Sequence, residues 1–335
     1  MVKIGVVGYG YWGPNLVRNF SAADNCEVSG IVDLSENRLQ SVKKLYPGIN
    51  TSTSYDLLIN DPSIDGIVIA LPVAEHYEFA KKALLKNKDV LIEKPMTDSV
   101  EKAQELISIA KKMRRILMVD HTFIYTGAVR KIKELIDKDI IGEINYFDSL
   151  RVNLGLFQSD INVIWDLAPH DLSILNFLLK EDPCSIIATG ISHTRNNIEN
   201  IAYIILFFKS KMIAHFNVSW TSPVKIRQIL IGGSKKMVLY NDLESTEKIK
   251  VYDAGFSVTN HIEENKILVD YRIGDIFVPK IEVTEALKLV ADDFINSIVK
   301  RSEPLSNWEM GLEVVKILEA AEKSIKNNGR EIKIK

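Results

Sequence analysis

Short apolar runs alternate with helix-like patterns through the first third of the chain. The runs Lys3 to Val7, Glu27 to Val32, Gly66 to Ala70, Asp89 to Ile92 and Ile116 to Val119 read as strands. Between them, Asn15 to Ala22, Ser35 to Leu45, Ala74 to Leu85 and Ser99 to Met113 read as helices, with Ser99 placed to cap the last ahead of Val100, Ala103, Leu106 and Ile107. Repeated strand and helix units of this kind predict an α/β domain with a doubly wound parallel sheet, ending near Asp120.

From Glu143 the rhythm changes. Ile144 to Val152, Cys184 to Ile191, Ile201 to Phe208, Met212 to Trp220, Ile226 to Ile231 and Lys236 to Tyr240 are strand-like runs separated by short turn signals. They predict an open, mostly antiparallel sheet of about six or more strands. Helices are expected at Trp165 to Leu179, Thr284 to Val299 and Asn307 to Ile325. The chain is therefore expected to divide into residues 1–120 and an α+β domain over 121–335, with the C-terminal helices packing back on the first domain or on the sheet. The joint near residues 120–140 is helical and charged, which predicts a rigid connection.

Composition narrows the classes of function. With 335 residues, 46% of them hydrophobic, 17 Gly, 10 Pro and 2 Cys, the chain has the make-up of a soluble globular protein with material for two cores. Its 42 Lys+Arg against 44 Asp+Glu leave a net charge of -2, which argues against nucleic acid as a partner. Cys26 and Cys184 form no C-x-x-C pair, so they fit a reducing cytoplasm and argue against a zinc site. Gly8 and Gly10 interrupt the N-terminal apolar stretch, so no signal-peptide core is expected, and no apolar run reaches membrane-spanning length.

The candidate chemistry begins at Gly8-Tyr9-Gly10-Tyr11-Trp12-Gly13, a G-x-G-x-x-G between a strand and a helix that opens at Pro14. Glycines at these positions allow a tight turn, close approach of a pyrophosphate and helix–strand packing, while the helix N-terminus favours negative charge. Asp33 follows 20 residues after Gly13, at the end of the second strand. There its carboxylate can bind a ribose 2'-hydroxyl and repel a 2'-phosphate, so the expected cofactor is NAD; Arg38 is the nearby cation that would favour NADP instead.

Other strand ends carry further candidates. Ala70-Leu71-Pro72 closes one strand, and His76 follows within the next helix, either touching the ribose or nicotinamide or lying on the helix surface. Glu93-Lys94-Pro95 closes another, where the Lys94 cation can orient a hydroxyl and stabilise charge developing on its oxygen. Asp166 and His170 are four apart in a helical pattern and share a face. An imidazole is a suitable general base at neutral pH, with Asp166 orienting it or binding substrate; the same spacing suits a metal, but no third ligand lies nearby and none is expected. Tyr125, Arg151 and Asn153 are candidate substrate contacts near the start of the second domain.

In this order, the sequence resembles the Gfo/Idh/MocA family of oxidoreductases. The similarity rests on Gly8 to Gly13 with Asp33, on Ala70-Leu71-Pro72 and His76, on Glu93-Lys94-Pro95, on Val129 to Ile132 and Ile141 to Ile144, and on Asp166 with His170. It implies a Rossmann domain, a C-terminal sheet lining the substrate site on one face and often pairing subunits through the other, and an active site built on Lys94, Asp166 and His170. The chain departs from the family in having Ala168 midway between Asp166 and His170, and Ser173 three past the histidine with Asp171 adjacent.

Tyr11 to Asn15, Asn153-Leu154-Gly155-Leu156-Phe157 and Trp165 to Asp171 look most similar to the nucleotide-sugar branch. That resemblance implies oxidation of the 3-hydroxyl of a nucleotide sugar of the UDP-N-acetylglucosamine type, in cell-surface polysaccharide biosynthesis. The alternatives are a keto-sugar-nucleotide reductase, a dehydrogenase of free inositol or sugar, and a non-catalytic NAD sensor. Arg195, Lys225 or Arg227 would supply charge for a diphosphate. A homodimer or homotetramer is expected, with Tyr240 and Phe277 among the apolar residues covered by a partner.

Overall fold

In the computed structural model, which describes residues 1–334 apart from 156, 159, 196 and 262–265, the apolar runs of the first third build one parallel sheet. Its strands are β1 (Val2–Val7), β2 (Cys26–Val32), β3 (Asn50–Ser52), β4 (Gly66–Ile69), β5 (Asp89–Glu93) and β6 (Leu117–Asp120), in the order β3-β2-β1-β4-β5-β6. Every residue of β4, β5 and β6 is buried, as strands covered on both faces require. The strand order reverses at β1 and β4, and open sheets of this topology bind ligands beyond the carboxyl ends of the strands at that point. Helices α1 (Gly13–Ser21), α2 (Glu36–Leu45), α3 (Tyr55–Asn60), α4 (Val73–Leu85) and α5 (Val100–Met113) connect them. β3 and α3 escaped the sequence pattern because three polar residues and a six-residue helix are too short to show a period.

The remaining helices are α6 (Gly127–Asp137), α7 (Val163–Leu178), α8 (Ala286–Lys300) and α9 (Trp308–Lys326). The chain forms two units, Met1–Tyr125 with Thr284–Lys316, and Thr126–Val283 with Ile317–Lys335. Within the first unit, the Phe294 ring of α8 meets Phe20 of α1 edge-on at 6.1 Å. Phe294 and Ile298 also lie so close to Gly66 that an added Cβ would come within 3.2 Å of both.

The second unit holds a nine-stranded sheet. Its strands are β7 (Ile144–Leu154), β8 (Ser185–Ile191), β9 (Ile201–Phe207), β10 (Ile213–Ser219), β11 (Thr221–Gly233), β12 (Met237–Asn241), β13 (Ile249–His261), β14 (Lys266–Phe277) and β15 (Ile332–Lys333). The order is β14-β13-β12-β11-β7-β10-β9-β8-β15, antiparallel except where β7 meets β10. The fold class expected from the sequence is thus the one observed, with the β13–β14 hairpin and β15 as additions. Residues alternate along β7, β9 and β10: Phe147, Ser149, Arg151, Ile204, Leu206, Phe216 and Val218 are buried, whereas Asp148, Tyr203 and His215 face outward. Tyr240 is 2% exposed, and its hydroxyl lies 3.1 Å from Asp242 Oδ1. It belongs to the core of this unit, which corrects the expectation that a partner covers it.

Candidate active site

The turn after β1 is shaped by its glycines. Gly8 has φ +94°, and a Cβ there would strike the backbone oxygen of Ala70; a Cβ on Gly13 would strike the carbonyl of Gly8. These two positions admit only glycine for steric reasons inside the fold. Gly10 differs, because the one atom near its missing Cβ is Arg38 Nη1 at 3.8 Å. Its side is open to an approaching group. α1 starts at Gly13 with no side-chain hydrogen bond capping it, so its positive end is available to an anion. Tyr11 is 84% exposed, and it meets the exposed Trp12 edge-on at 5.5 Å.

Asp33 anchors this turn. The Tyr9 N–H donates to its Oδ2 at 2.7 Å and the Ser35 N–H to its Oδ1 at 2.8 Å, while Arg38 Nη1 lies 3.3 Å from Oδ2. The carboxylate therefore orders the glycine loop, and its remaining lone pairs are free to accept from a ribose. Open space at Gly10, an uncapped helix start and a carboxylate at the end of β2 fit the pyrophosphate and ribose of NAD.

Ala70, Leu71 and Pro72 form the partly exposed turn from β4 into α4. His76 is 1% exposed, with Nδ1 2.9 Å from Pro95 O and Nε2 2.8 Å from Leu71 O. It ties the turns after β4 and β5 together, and burial lowers its pKa. This corrects the expectation that it touches the ribose or nicotinamide, since both ring nitrogens face backbone carbonyls.

At the carboxyl end of β5, Glu93 is buried and Lys94 is partly exposed. The parallel register sets Glu93 opposite Asp120 of β6. Burial, with repulsion from Asp120, raises Glu93 well above the usual carboxylate range. Burial likewise raises Asp120 to about 6. The next residue, His121, is 1% exposed and pushed down to about 3 by burial, with Lys94 adding to the effect. Neither ring nitrogen of His121 has a hydrogen-bond partner among the described residues. Sequence alone marks Asp120 only as the end of the first domain and His121 as a structural or exposed histidine outside the site. The signal that finds them is register, because two adjacent parallel strands each end in an acidic residue.

In the second unit, Asn162 caps α7 by accepting from the Ile164 and Trp165 N–H groups at 3.1 and 3.2 Å. Asp166 and His170 then follow one turn apart. Both are partly exposed, whereas Trp165, Ala168, Pro169, Asp171 and Leu172 are buried, so the pair occupies the open stripe of the helix. Trp220 Nε1 donates to Asp166 Oδ2 at 3.0 Å. Asn153 is also partly exposed, near the end of β7; Leu156 lies outside the described residues.

Two expected substrate contacts have other roles. Arg151 is 3% exposed and grips Asp171 through Nε at 2.9 Å and Nη2 at 2.6 Å. Burial disfavours its charge, and Asp171 more than restores it. The pair belongs to the core of the second unit, and Arg151 is not placed to meet a ligand. Tyr125 is 1% exposed, and its hydroxyl donates to Asp293 at 2.6 Å and accepts from the Ser306 N–H at 3.1 Å. It fastens the Thr284–Lys316 segment to the rest of the first unit.

A glycine turn at the reversal of a parallel sheet, with a lysine at a neighbouring strand end, defines the first unit as a dinucleotide-binding oxidoreductase domain. Two family models agree: one described as "Oxidoreductase family, NAD-binding Rossmann fold" matches residues 2–121, and the GFO/IDH/MocA C-terminal domain matches residues 129–239. Together they cover more than half of the chain, and it belongs to the Gfo/Idh/MocA family. Among relatives, an inositol 2-dehydrogenase/D-chiro-inositol 3-dehydrogenase of Lactiplantibacillus plantarum is 23% identical over 324 residues, covering 88% of this chain and 92% of that one. A solved scyllo-inositol dehydrogenase of Lactobacillus casei with bound NAD(H) superposes with a TM-score of 0.81 at 17% identity over 100% of this chain and 99% of that one. A UDP-N-acetylglucosamine 3-dehydrogenase from Acidithiobacillus ferrooxidans does so with a TM-score of 0.79 at 22% identity over 96% and 98%. Among the described residues, none forms a metal-binding cluster and no helix is long and apolar enough to cross a membrane.

Proposed function

We propose that the chain is an NAD-dependent dehydrogenase that oxidises the 3-hydroxyl of a nucleotide sugar of the UDP-N-acetylglucosamine type to a 3-keto sugar. The observation that carries this reading is Lys94, a partly exposed cation at a strand end of the NAD-binding domain, backed by two buried carboxyls. Lys94 holds the reacting hydroxyl and stabilises the charge that grows on its oxygen. His170 accepts the hydroxyl proton at a ring nitrogen, and Asp166, fixed by Trp220, orients the substrate or the imidazole. NAD, when bound, supplies the acceptor for the hydride that leaves the substrate carbon. Asn153 contributes a polar contact to the sugar.

A second reading keeps these roles and changes the substrate to a free polyol, as the similarity to the Lactiplantibacillus inositol dehydrogenase suggests. Both readings are tested by mixing the purified protein and NAD with UDP-N-acetylglucosamine, UDP-glucose, myo-inositol and glucose in parallel and following NADH. Turnover confined to UDP-N-acetylglucosamine supports the nucleotide-sugar reading, and turnover confined to inositol replaces it. Reduction of a 3-keto sugar nucleotide without measurable oxidation reverses the direction. Silence from all, with NAD bound, points to recycling of the cofactor in place, a missing acceptor or the sensor. Two free cysteines are consistent with a cytoplasmic enzyme. Self-association as a dimer or tetramer is proposed through the open face of the second sheet, where Tyr203, Ile213 and Leu230 are exposed.

A further inference from the structure

We propose that Glu93 and Asp120 share a single proton, and that the one negative charge left on the pair is the counter-charge that holds the Lys94 ammonium at the end of β5. The two residues are register partners on adjacent parallel strands, so their side chains leave the sheet on the same side. Both are buried, at 8% and 2% exposure. Asp120 Oδ1 accepts from Thr122 Oγ1 at 2.7 Å, whereas Oδ2, facing a carboxylate, meets no donor among the described residues. A proton between Asp120 and Glu93 supplies the missing donor.

The charges around the pair point the same way. Lys94 is the cation acting on Glu93, Asp120 and His121. His121 stays neutral, the Tyr125 phenol is kept protonated by burial, burial likewise favours neutral His76, and Asp98 has its own cation in Lys102 at 2.8 Å. One ammonium cannot balance two buried carboxylates, whereas one ammonium and one carboxylate close to zero. The upward direction of both carboxyl pKa values agrees with a retained proton. Glu93 and Asp120 are therefore positioning residues for Lys94. Their relevance to catalysis rests on the role given to Lys94 above; the shared proton and the hold on Lys94 do not.

Infrared titration of the free protein tests this without substrate. The wild type is expected to show a protonated buried carboxyl at pH about 7, absent in both Asp120→Asn and Glu93→Gln, where the surviving carboxylate pairs with Lys94. Lys94→Met, which removes the cation, is expected to move the pair's lower midpoint upward by about one pH unit or more. The two amide variants preserve shape, and NAD affinity within about 2-fold of wild type shows that the domain still folds. The absence of the protonated carboxyl from the wild type overturns the shared proton. An unmoved midpoint in Lys94→Met overturns the hold on Lys94. Full turnover by Lys94→Met would instead sink the catalytic assignment while leaving the pair intact.

Discussion

Trp220 and Asp166 are 54 positions apart, yet the indole Nε1 donates to the carboxylate Oδ2 at 3.0 Å. Trp220 is 1% exposed, its carbonyl accepts from the Gly155 N–H at 3.0 Å, and the Phe157 ring leans on it at 5.7 Å between centroids. A buried donor on a fixed ring gives Asp166 one orientation, whereas a carboxylate on an open helix face samples several. Removing a hydrogen bond to a charged group costs about 1.5–3 kcal/mol. Trp220→Phe is therefore expected to lower kcat/KM by about 10- to 100-fold. NAD affinity should stay unchanged, since the pair lies within the second unit. Steady-state kinetics on the substrate identified by the panel, with NAD titration alongside, checks this.

The glycine turn permits a sharper separation. Gly8→Ala must push against the Ala70 backbone at a positive φ, so it is expected to destabilise the first unit and lose NAD binding together. Gly10→Ala meets only Arg38 Nη1, at 3.8 Å, so the melting temperature should hold while NAD affinity falls by at least about 10-fold. Calorimetry of both variants, with and without NAD, tells the two roles apart. Equal NAD affinity for Gly10→Ala and wild type would remove the pyrophosphate from this turn.

How far the sequence could be read follows from the range of the interactions involved. Gly8 to Gly13, Asp33 and Lys94 are legible because each role is local: a turn, a strand end, a fixed spacing. Asp120 is not, because its partner Glu93 is supplied by strand register 27 positions away, and register is not written in the local pattern. Arg151, Tyr125 and His76 misled for a related reason. A polar side chain near a predicted site looks the same in sequence whether its partner is a ligand or, as observed, Asp171, Asp293 or two backbone carbonyls. β3 and the β13–β14 hairpin were missed because the first is too short for a period and the second exposes apolar residues such as Tyr271 and Ile273 instead of alternating cleanly.

The Arg151–Asp171 pair is expected to behave as part of the core and not as part of the substrate site. Ser149 Oγ adds a third hydrogen bond to Asp171, at 2.7 Å. Arg151→Met strands a buried carboxylate, which costs about 3–5 kcal/mol. Replacing both partners, Arg151→Met with Asp171→Leu, should recover most of that loss, because two well-packed apolar side chains substitute for a buried ion pair at little net cost. Denaturant unfolding of the two variants measures the difference. A substrate role for Arg151 predicts the opposite pattern, with stability little changed and KM raised in both.

His121 sets the last expectation, on acid stability. Its imidazole is 1% exposed, neither nitrogen has a partner among the described residues, and burial pushes its pKa down to about 3. In the unfolded chain the group titrates near 6.5, so between about 6.5 and 3 the unfolded state binds the extra proton. The stabilising effect of keeping this histidine neutral is present above about 6.5 and is lost as pH falls through that window, up to about 4 kcal/mol. Asp120 opposes it over part of the range: its folded pKa is raised to about 6, so its contribution is full below about 4 and is lost as pH rises toward 6. His121→Phe keeps a buried ring and removes the proton acceptor, so its unfolding free energy should fall less steeply than that of wild type from pH about 6.5 to 4. Urea unfolding at a series of pH values gives the two slopes directly. Parallel slopes would mean that His121 takes up its proton in the folded state as readily as in the unfolded one.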